Sequence, residues 1–175
     1  TMGLTPLDGV LMGTRCGNVD PSTVTFLQKA HNFTADEMDA YMNKKSGLVG
    51  ISGVSSDMRD LTAAAESGNE RAKLAKEILV YDIKKDIGAL AAAMGGVDAV
   101  LFTGGIGEND GSVRKEVCDG LEFLGIKLKD GSENVRGELA KISADDAKVE
   151  VWVVPTNEEL LIARDTKKLC EELKK

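Results

Sequence analysis

Val100-Leu101-Phe102-Thr103-Gly104-Gly105-Ile106-Gly107-Glu108-Asn109 is the stretch on which the fold turns. The apolar run Ala99 to Phe102 reads as a buried strand. Three glycines within four residues end it, and Val113, Val117 and Leu121 then recur at helical spacing. Strand, glycine-rich turn and helix is the arrangement in which a parallel sheet holds a ligand. Glycine lets backbone approach a flat or phosphorylated molecule with no Cβ in the way, and a helix start offers N–H groups to anions. Taken alone, the stretch also suits a tight turn that binds nothing. It is not the dinucleotide fingerprint, because Glu108, Asn109 and Asp110 follow where the last glycine of G-x-G-x-x-G is required. No G-x-x-x-x-G-K-[ST] phosphate loop occurs in the chain.

Outward from this stretch, Val149 to Val154 reads as a second core strand, ended by Pro155. The longest helix is expected over Glu70 to Met94, with an apolar stripe of Leu79, Ile83, Ile87, Leu90 and Met94 and a stop at Gly95-Gly96. Asp20-Pro21 opens an earlier helix, and Thr34 to Glu37 is a capping box for another that ends near Lys45. Asp57 is placed to cap a helix running to Glu66. Before these, residues 1–19 are expected to hold a strand remnant and a loop ending at Gly13-Thr14-Arg15-Cys16-Gly17. Phe123 to Leu128 suits an edge strand, and Lys129 to Asn134 a polar loop. Thr156-Asn157-Glu158-Glu159 opens the last helix, with Thr156 as cap, Glu159 reaching back and an apolar line of Ile162, Thr166, Leu169 and Leu173. Helices between strands make the class α/β. Two core strands are few for a stable sheet, and Thr1-Met2-Gly3 is an unusual opening, so the chain is expected to be part of a longer protein.

The 175 residues suffice for one domain with its own core, and the 42% hydrophobic and 29% charged content suits a soluble globular chain. A net charge of −7 without a basic run argues against nucleic-acid binding but not against a nucleotide. Cys16, Cys118 and Cys170 are far apart, no C-x-x-C pair occurs and His31 is the one histidine, which disfavours a zinc site or disulfide framework and fits a reducing cytoplasm. Cys118 reads as core and His31 as a solvated residue at a helix end. No stretch reads as a signal peptide or membrane span.

Certain residues could carry chemistry. Arg15 stands between Gly13 and Gly17, and a guanidinium on glycine-hinged backbone suits a phosphoryl clamp; it equally suits a plain surface arginine. Asp57-Met58-Arg59-Asp60 suits either a helix cap with a local salt bridge or a contact to a nucleoside. Glu158 is left over from the expected capping box, and a carboxylate beside a phosphate site is what magnesium would use.

Together these stretches resemble the acetate kinase family. MGLTPLDGVLMGTRCGNVDP, KKSGLVGISGVSSDMRD, FTGGIGEND, VCDGLEFLGI and PTNEELLIARDT carry the resemblance, in order and from end to end. Propionate and butyrate kinases are related. The resemblance implies a ribonuclease-H-like fold, shared with sugar kinases, actin and heat-shock ATPases, with the nucleotide in a cleft between two domains. It implies that residues 1–175 are the C-terminal nucleotide-binding portion with a helical insertion. The N-terminal domain and the first strands of this one would lie outside the chain, so the chain alone would not turn over.

The implied reaction transfers a phosphoryl group from ATP to acetate, giving ADP and acetyl phosphate. Arg15 would stabilise the transferring phosphoryl group and Pro6 would line the acetate methyl pocket. Asp57, Met58 and Arg59 would meet the nucleoside, and Gly105, Ile106, Gly107, Glu108 and Asn109 would lie beneath the adenosine. Glu158 would stand at a magnesium ion. The whole enzyme would be a cytoplasmic homodimer without nucleic-acid or membrane partners. Cys16 replaces a common serine and Gly104 a frequent alanine, at positions that carry no proposed charge or proton. A short-chain acyl kinase such as a propionate kinase is the alternative enzyme, and an actin-like ATP-binding module the alternative without catalysis.

Overall fold

The computed structural model describes residues 2–173, the side chain of Glu158 excepted. The chain divides into two compact units. One comprises the residues up to Val97 with Glu116–Leu121, the other Asp98–Lys115 and the chain from Glu122 onward.

The first unit is helical. Its opening holds no strand; Gly3 to Val10 is a run of turns and bends. The glycines are the reason. Gly9 and Gly17 adopt φ of +105° and +69°, and Gly9 and Asn18 close the loop by exchanging Gly9 N–H to Asn18 Oδ1 and Asn18 N–H to Gly9 O. Helix α1 (Pro21–His31) is capped by Asp20, with proline at its first turn, and α2 (Ala35–Lys44) by the reciprocal Thr34–Glu37 box, both as expected. A short helix missed in the sequence, α3 (Gly47–Ser52), follows, then α4 (Met58–Glu66), capped by Asp57, and α5 (Glu70–Met94). Helices α3 and α4 pack on α5. Arg71 of α5 ties α3 down by donating from Nε to Ile51 O and from Nη2 to Gly50 O, which satisfies carbonyls that a helix end leaves open. The α5 stripe is buried only in part: Leu79 lies in the core, while Leu90 and Met94 are exposed. Small residues, Ala72 and Ala75, do the burying at the other end, where the helices approach closely.

The second unit carries a three-stranded sheet in the order β1-β3-β2. Strand β1 (Ala99–Phe102) leads into α6 (Gly104–Asn109) and α7 (Gly111–Cys118), and β2 (Ala140–Lys141) precedes β3 (Glu150–Val153) and α8 (Glu158–Glu172). β1 lies parallel to β3, with Val100 opposite Val151 and Phe102 opposite Val153; β2 runs antiparallel to β3. Val151 and Val153 are fully buried, but β1 is an edge strand with Leu101 60% exposed, so it is less buried than its sequence suggests. Phe123 to Leu128 forms no edge strand. A 3-10 turn covers Glu122–Leu124, and only Ile126 and Leu128 make single bridges, to Val149 and Ser143. α8 is capped by Asn157, whose Oδ1 accepts from Leu160 N, and not by Thr156, which is engaged elsewhere. The apolar line of α8 is exposed at Ile162, Leu169 and Leu173.

Ser46 makes no side-chain cap for α3. Instead the loop carrying Arg15 caps it with backbone. Met12 O accepts from Leu48 N, Gly13 O from Val49 N and Thr14 O from Ser46 N, at 2.9–3.0 Å. This close approach is possible because Gly47 has no Cβ. It sits at φ +62°, and a Cβ there would lie 2.1 Å from Met12 O and 2.6 Å from Arg15 O. Gly47→Ala should therefore destabilise the first unit by more than the about 1–2 kcal/mol of left-handed strain alone. Gly95→Ala, at φ +76° with nothing within 4 Å, should show that strain only. Urea denaturation of both variants checks this; equal losses would mean the loop yields without cost.

Candidate functional site

The first unit holds one set of expected residues. Arg15 lies on the loop just described, which is further pinned by Cys16 N to Met42 O and by the Thr14 hydroxyl to Asn43 O. Its guanidinium is half-buried, forms no ion pair among the described residues and lies 3.6 Å from Met12 Sδ. An arginine fixed in this way on rigid backbone, with its charge unspent, is equipped to meet an anion. Beside it, burial pushes the Cys16 thiol up, which leaves it protonated and donating to Gly17 O. Pro6 is exposed within the Gly3–Val10 turns.

Gly13 packs against Ser56, whose O would be 3.0 Å from a Cβ, so the Arg15 loop and the Asp57 segment are neighbours. Asp57 accepts from Arg59 N at 2.8 Å while the Arg59 guanidinium closes over both of its carboxylate oxygens. That guanidinium, then the Arg59 amide, pulls the Asp57 carboxyl from 3.8 to about 2. Cap and salt bridge are thus both present, and Arg59 itself remains 89% exposed. Met58 is 5% exposed and belongs to the core.

The second unit holds the glycine stretch, and it is not a loose turn. Gly104–Asn109 is itself the short helix α6, opening at the C-terminal end of β1. Its glycines differ in their reasons. Gly104 adopts φ +72°, which disfavours any side chain. Gly107 packs on the strand, with a Cβ position 3.3 Å from the Phe102 carbonyl carbon. Gly105 has ordinary φ and nothing within 4 Å of its Cβ position. Neither backbone nor packing requires a glycine there. Ile106 is half-buried, and Asn109 turns its amide back onto Gly105 O at 3.0 Å.

Glu108 reaches back along α6. Its Oε1 accepts from Gly104 N at 2.9 Å, from Thr156 N at 2.7 Å and from the Thr156 hydroxyl at 2.6 Å. The Thr156 hydroxyl, then the two amides, hold the Glu108 carboxyl below the usual glutamate range. An ionised carboxylate only accepts, so Thr156 must donate to it, and the Thr103 hydroxyl, 2.8 Å from Thr156 Oγ1, must donate in turn to Thr156. From the other end, Arg114, 1% exposed, donates from Nη1 to Gly107 O at 2.9 Å and from Nη2 to Val135 O. Neither Thr156 nor Arg114 stood out as a site residue in the sequence. Thr156 reads there as an ordinary cap, and a lone arginine in a helix carries no signal of burial.

Glu158 stands at the first position of α8, two residues beyond Thr156; its side chain lies outside the described residues. No group of three His, Cys, Asp or Glu able to hold a metal occurs among the described residues. Magnesium is commonly held by one or two carboxylates together with substrate phosphates and water. One glutamate is a donor that an ion arriving with its nucleotide would take.

The Asp57 pair gives a pH test. A depressed carboxyl pKa stabilises fully above the ordinary value of 3.8, and that contribution is lost as pH falls through about 2. Followed by carbon NMR, the Asp57 carboxyl should titrate near 2 in the native protein. In Arg59→Ala it should rise toward 3.8 yet stay below it, since the residue-59 amide still caps. A midpoint unmoved by the substitution would mean that the pair does not form.

A profile of the acetokinase family matches residues 1–164. An acetate kinase of Methanosarcina acetivorans is 56% identical over 171 residues, 98% of this chain and 42% of that protein. Among solved structures, Porphyromonas gingivalis acetate kinase is 49% identical with a TM-score of 0.90, over 97% of this chain and 43% of that one. A propionate kinase from Francisella tularensis is 39% identical with a TM-score of 0.83, over 93% of this chain and 41% of that one. The chain spans less than half the length of these relatives.

Proposed function

The chain belongs to the acetokinase family, and from that premise we propose that it is the C-terminal, nucleotide-holding portion of an acetate kinase. The whole enzyme would transfer the γ-phosphoryl group of ATP to acetate. Acetate kinase relatives support this choice of acceptor. A propionate kinase among the structural neighbours supports a second reading in which a longer short-chain acid is accepted. Pro6 would line the pocket for the acid's carbon chain, and the rest of that pocket would come from outside this chain.

One observation carries the nucleotide half of the reading. Gly105 is bare where neither φ nor packing asks for glycine, at the C-terminal end of β1 beside the parallel strand β3. Open backbone at that end of a parallel sheet is where a flat ligand is received. Adenosine would lie over Gly105, Ile106 and Gly107, with Asn109 holding the shape of the helix.

In the reaction, a carboxylate oxygen of acetate forms a bond to the γ-phosphorus as the bond to the β,γ-bridging oxygen breaks, and ADP departs with that electron pair. Acetate is already ionised, so no base is needed. Catalysis is then positioning and charge neutralisation. Arg15 supplies a fixed cation for the phosphoryl oxygens. Glu158 would hold the magnesium ion, which when bound neutralises phosphate charge. No helix among the described residues is long and apolar enough to cross a membrane; a cytoplasmic homodimer with no nucleic-acid partner is the setting proposed.

In the complete enzyme, Arg15→Ala should lower kcat by the equivalent of about 2–4 kcal/mol while ATP affinity changes little, since the charge it meets develops during transfer. A coupled assay for acetyl phosphate formation, run with acetate and with propionate, measures this. An unchanged kcat with a raised KM would make Arg15 a substrate anchor, and a wild-type enzyme inactive on both acids would overturn the reading.

A further inference from the structure

We propose that Glu108 is a positioning residue and not a nucleotide ligand: its carboxylate locks the glycine helix α6 to the β3–α8 turn, and so sets where Glu158 stands relative to the bound phosphates. The proposal rests on the acetate kinase reading above.

The geometry commits one carboxylate oxygen of Glu108 to this role. Three donors converge on one oxygen, Oε1: the amide of Gly104, the amide of Thr156 and the Thr156 hydroxyl. Hydrogen bonds to an ionised acceptor are the strong kind, and the two from Thr156 span 48 residues of sequence. The Gly104 amide is shared with Thr156 Oγ1 at 3.0 Å, and Thr103 feeds the same hydroxyl. Gly104, which leaves β1, and Thr156, which follows β3, thus meet at one carboxylate. On the far side, Asn157 caps α8 and Glu158 begins it. Without the carboxylate, the first N–H of α6 and the amide of Thr156 lose their best acceptor, and the start of α8 is free to shift. Sub-ångström alignment governs phosphoryl transfer, and a misplacement of about 1 Å can cost about a hundredfold in rate.

The clamp acts between the two turns, so removing either side should have the same consequence. In the complete enzyme, Glu108→Ala and Thr156→Val should each lower kcat at least about tenfold. The double variant should lose less than the sum of the two single losses, because the bond from the Thr156 hydroxyl to the Glu108 carboxylate is common to both. Thr156→Ser, which restores the hydroxyl, should recover most of the rate. ADP affinity by calorimetric titration should stay within about threefold of wild type throughout, a shift of under about 0.7 kcal/mol. Amide exchange at Gly104 and Thr156 needs no turnover and should quicken in Glu108→Ala.

Loss of ADP binding in Glu108→Ala but not in Thr156→Val would make Glu108 a ligand and overturn the proposal. Additive losses in the double variant, or unaltered amide exchange, would overturn it as well. A wild type that binds ADP and shows the exchange effect, yet phosphorylates neither acetate nor propionate, would overturn the function reading and leave the clamp standing.

Discussion

The parallel register of β1 on β3 is the constraint from which the second unit follows. With Phe102 opposite Val153, the two strands end level, and the residues that leave them are forced to be neighbours. Strand ends expose amides that must find acceptors, and Glu108 gathers two of them while Arg114 holds the carbonyl at the other end of α6. A six-residue helix has little stability of its own. Here it is held at both termini by charged side chains, which makes a stiff platform of what the sequence presents as a flexible glycine run.

The first unit solves the same problem differently. Helix α3 lacks a side-chain cap, and the carbonyls of Met12, Gly13 and Thr14 take its leading N–H groups. Arg15 is thereby carried on backbone that the fold cannot release without stranding donors. Its rigidity is a by-product of hydrogen-bond satisfaction, and Gly47, far along the chain, is what permits the approach. In both units the candidate site rests on backbone groups whose partners come from distant sequence.

That dependence decides what was legible in the sequence. Helix limits set by local chemistry were readable: Asp20, Thr34 and Asp57 cap within three residues of themselves, and α5 runs from Glu70 to Met94 as its punctuation requires. Strands β1 and β3 were visible as apolar runs. The failures were non-local. Helix α3 is capped from 32 or more residues away, β2 is two residues long, and Thr156 is drawn from its expected capping role by a carboxylate 48 residues earlier. The α5 stripe shows periodicity but not which half of it is covered. For the site, motif resemblance supplied Arg15, Gly105 and Glu158. It could not separate the glycines, since Gly104 answers to φ, Gly107 to packing and Gly105 to neither, differences that arise only in the folded chain.

That separation is the centre of the account, and Gly105→Ala in the complete enzyme tests it most directly. A melting curve and an ATP titration on the same preparation suffice. The melting temperature should stay close to wild type, because the added methyl meets nothing within 4 Å and φ is ordinary. ATP affinity should be at least about tenfold weaker, a loss of about 1.4 kcal/mol, because the methyl would occupy the proposed adenosine bed. Unchanged ATP affinity in a stably folded variant would contradict it and remove the nucleotide from this helix.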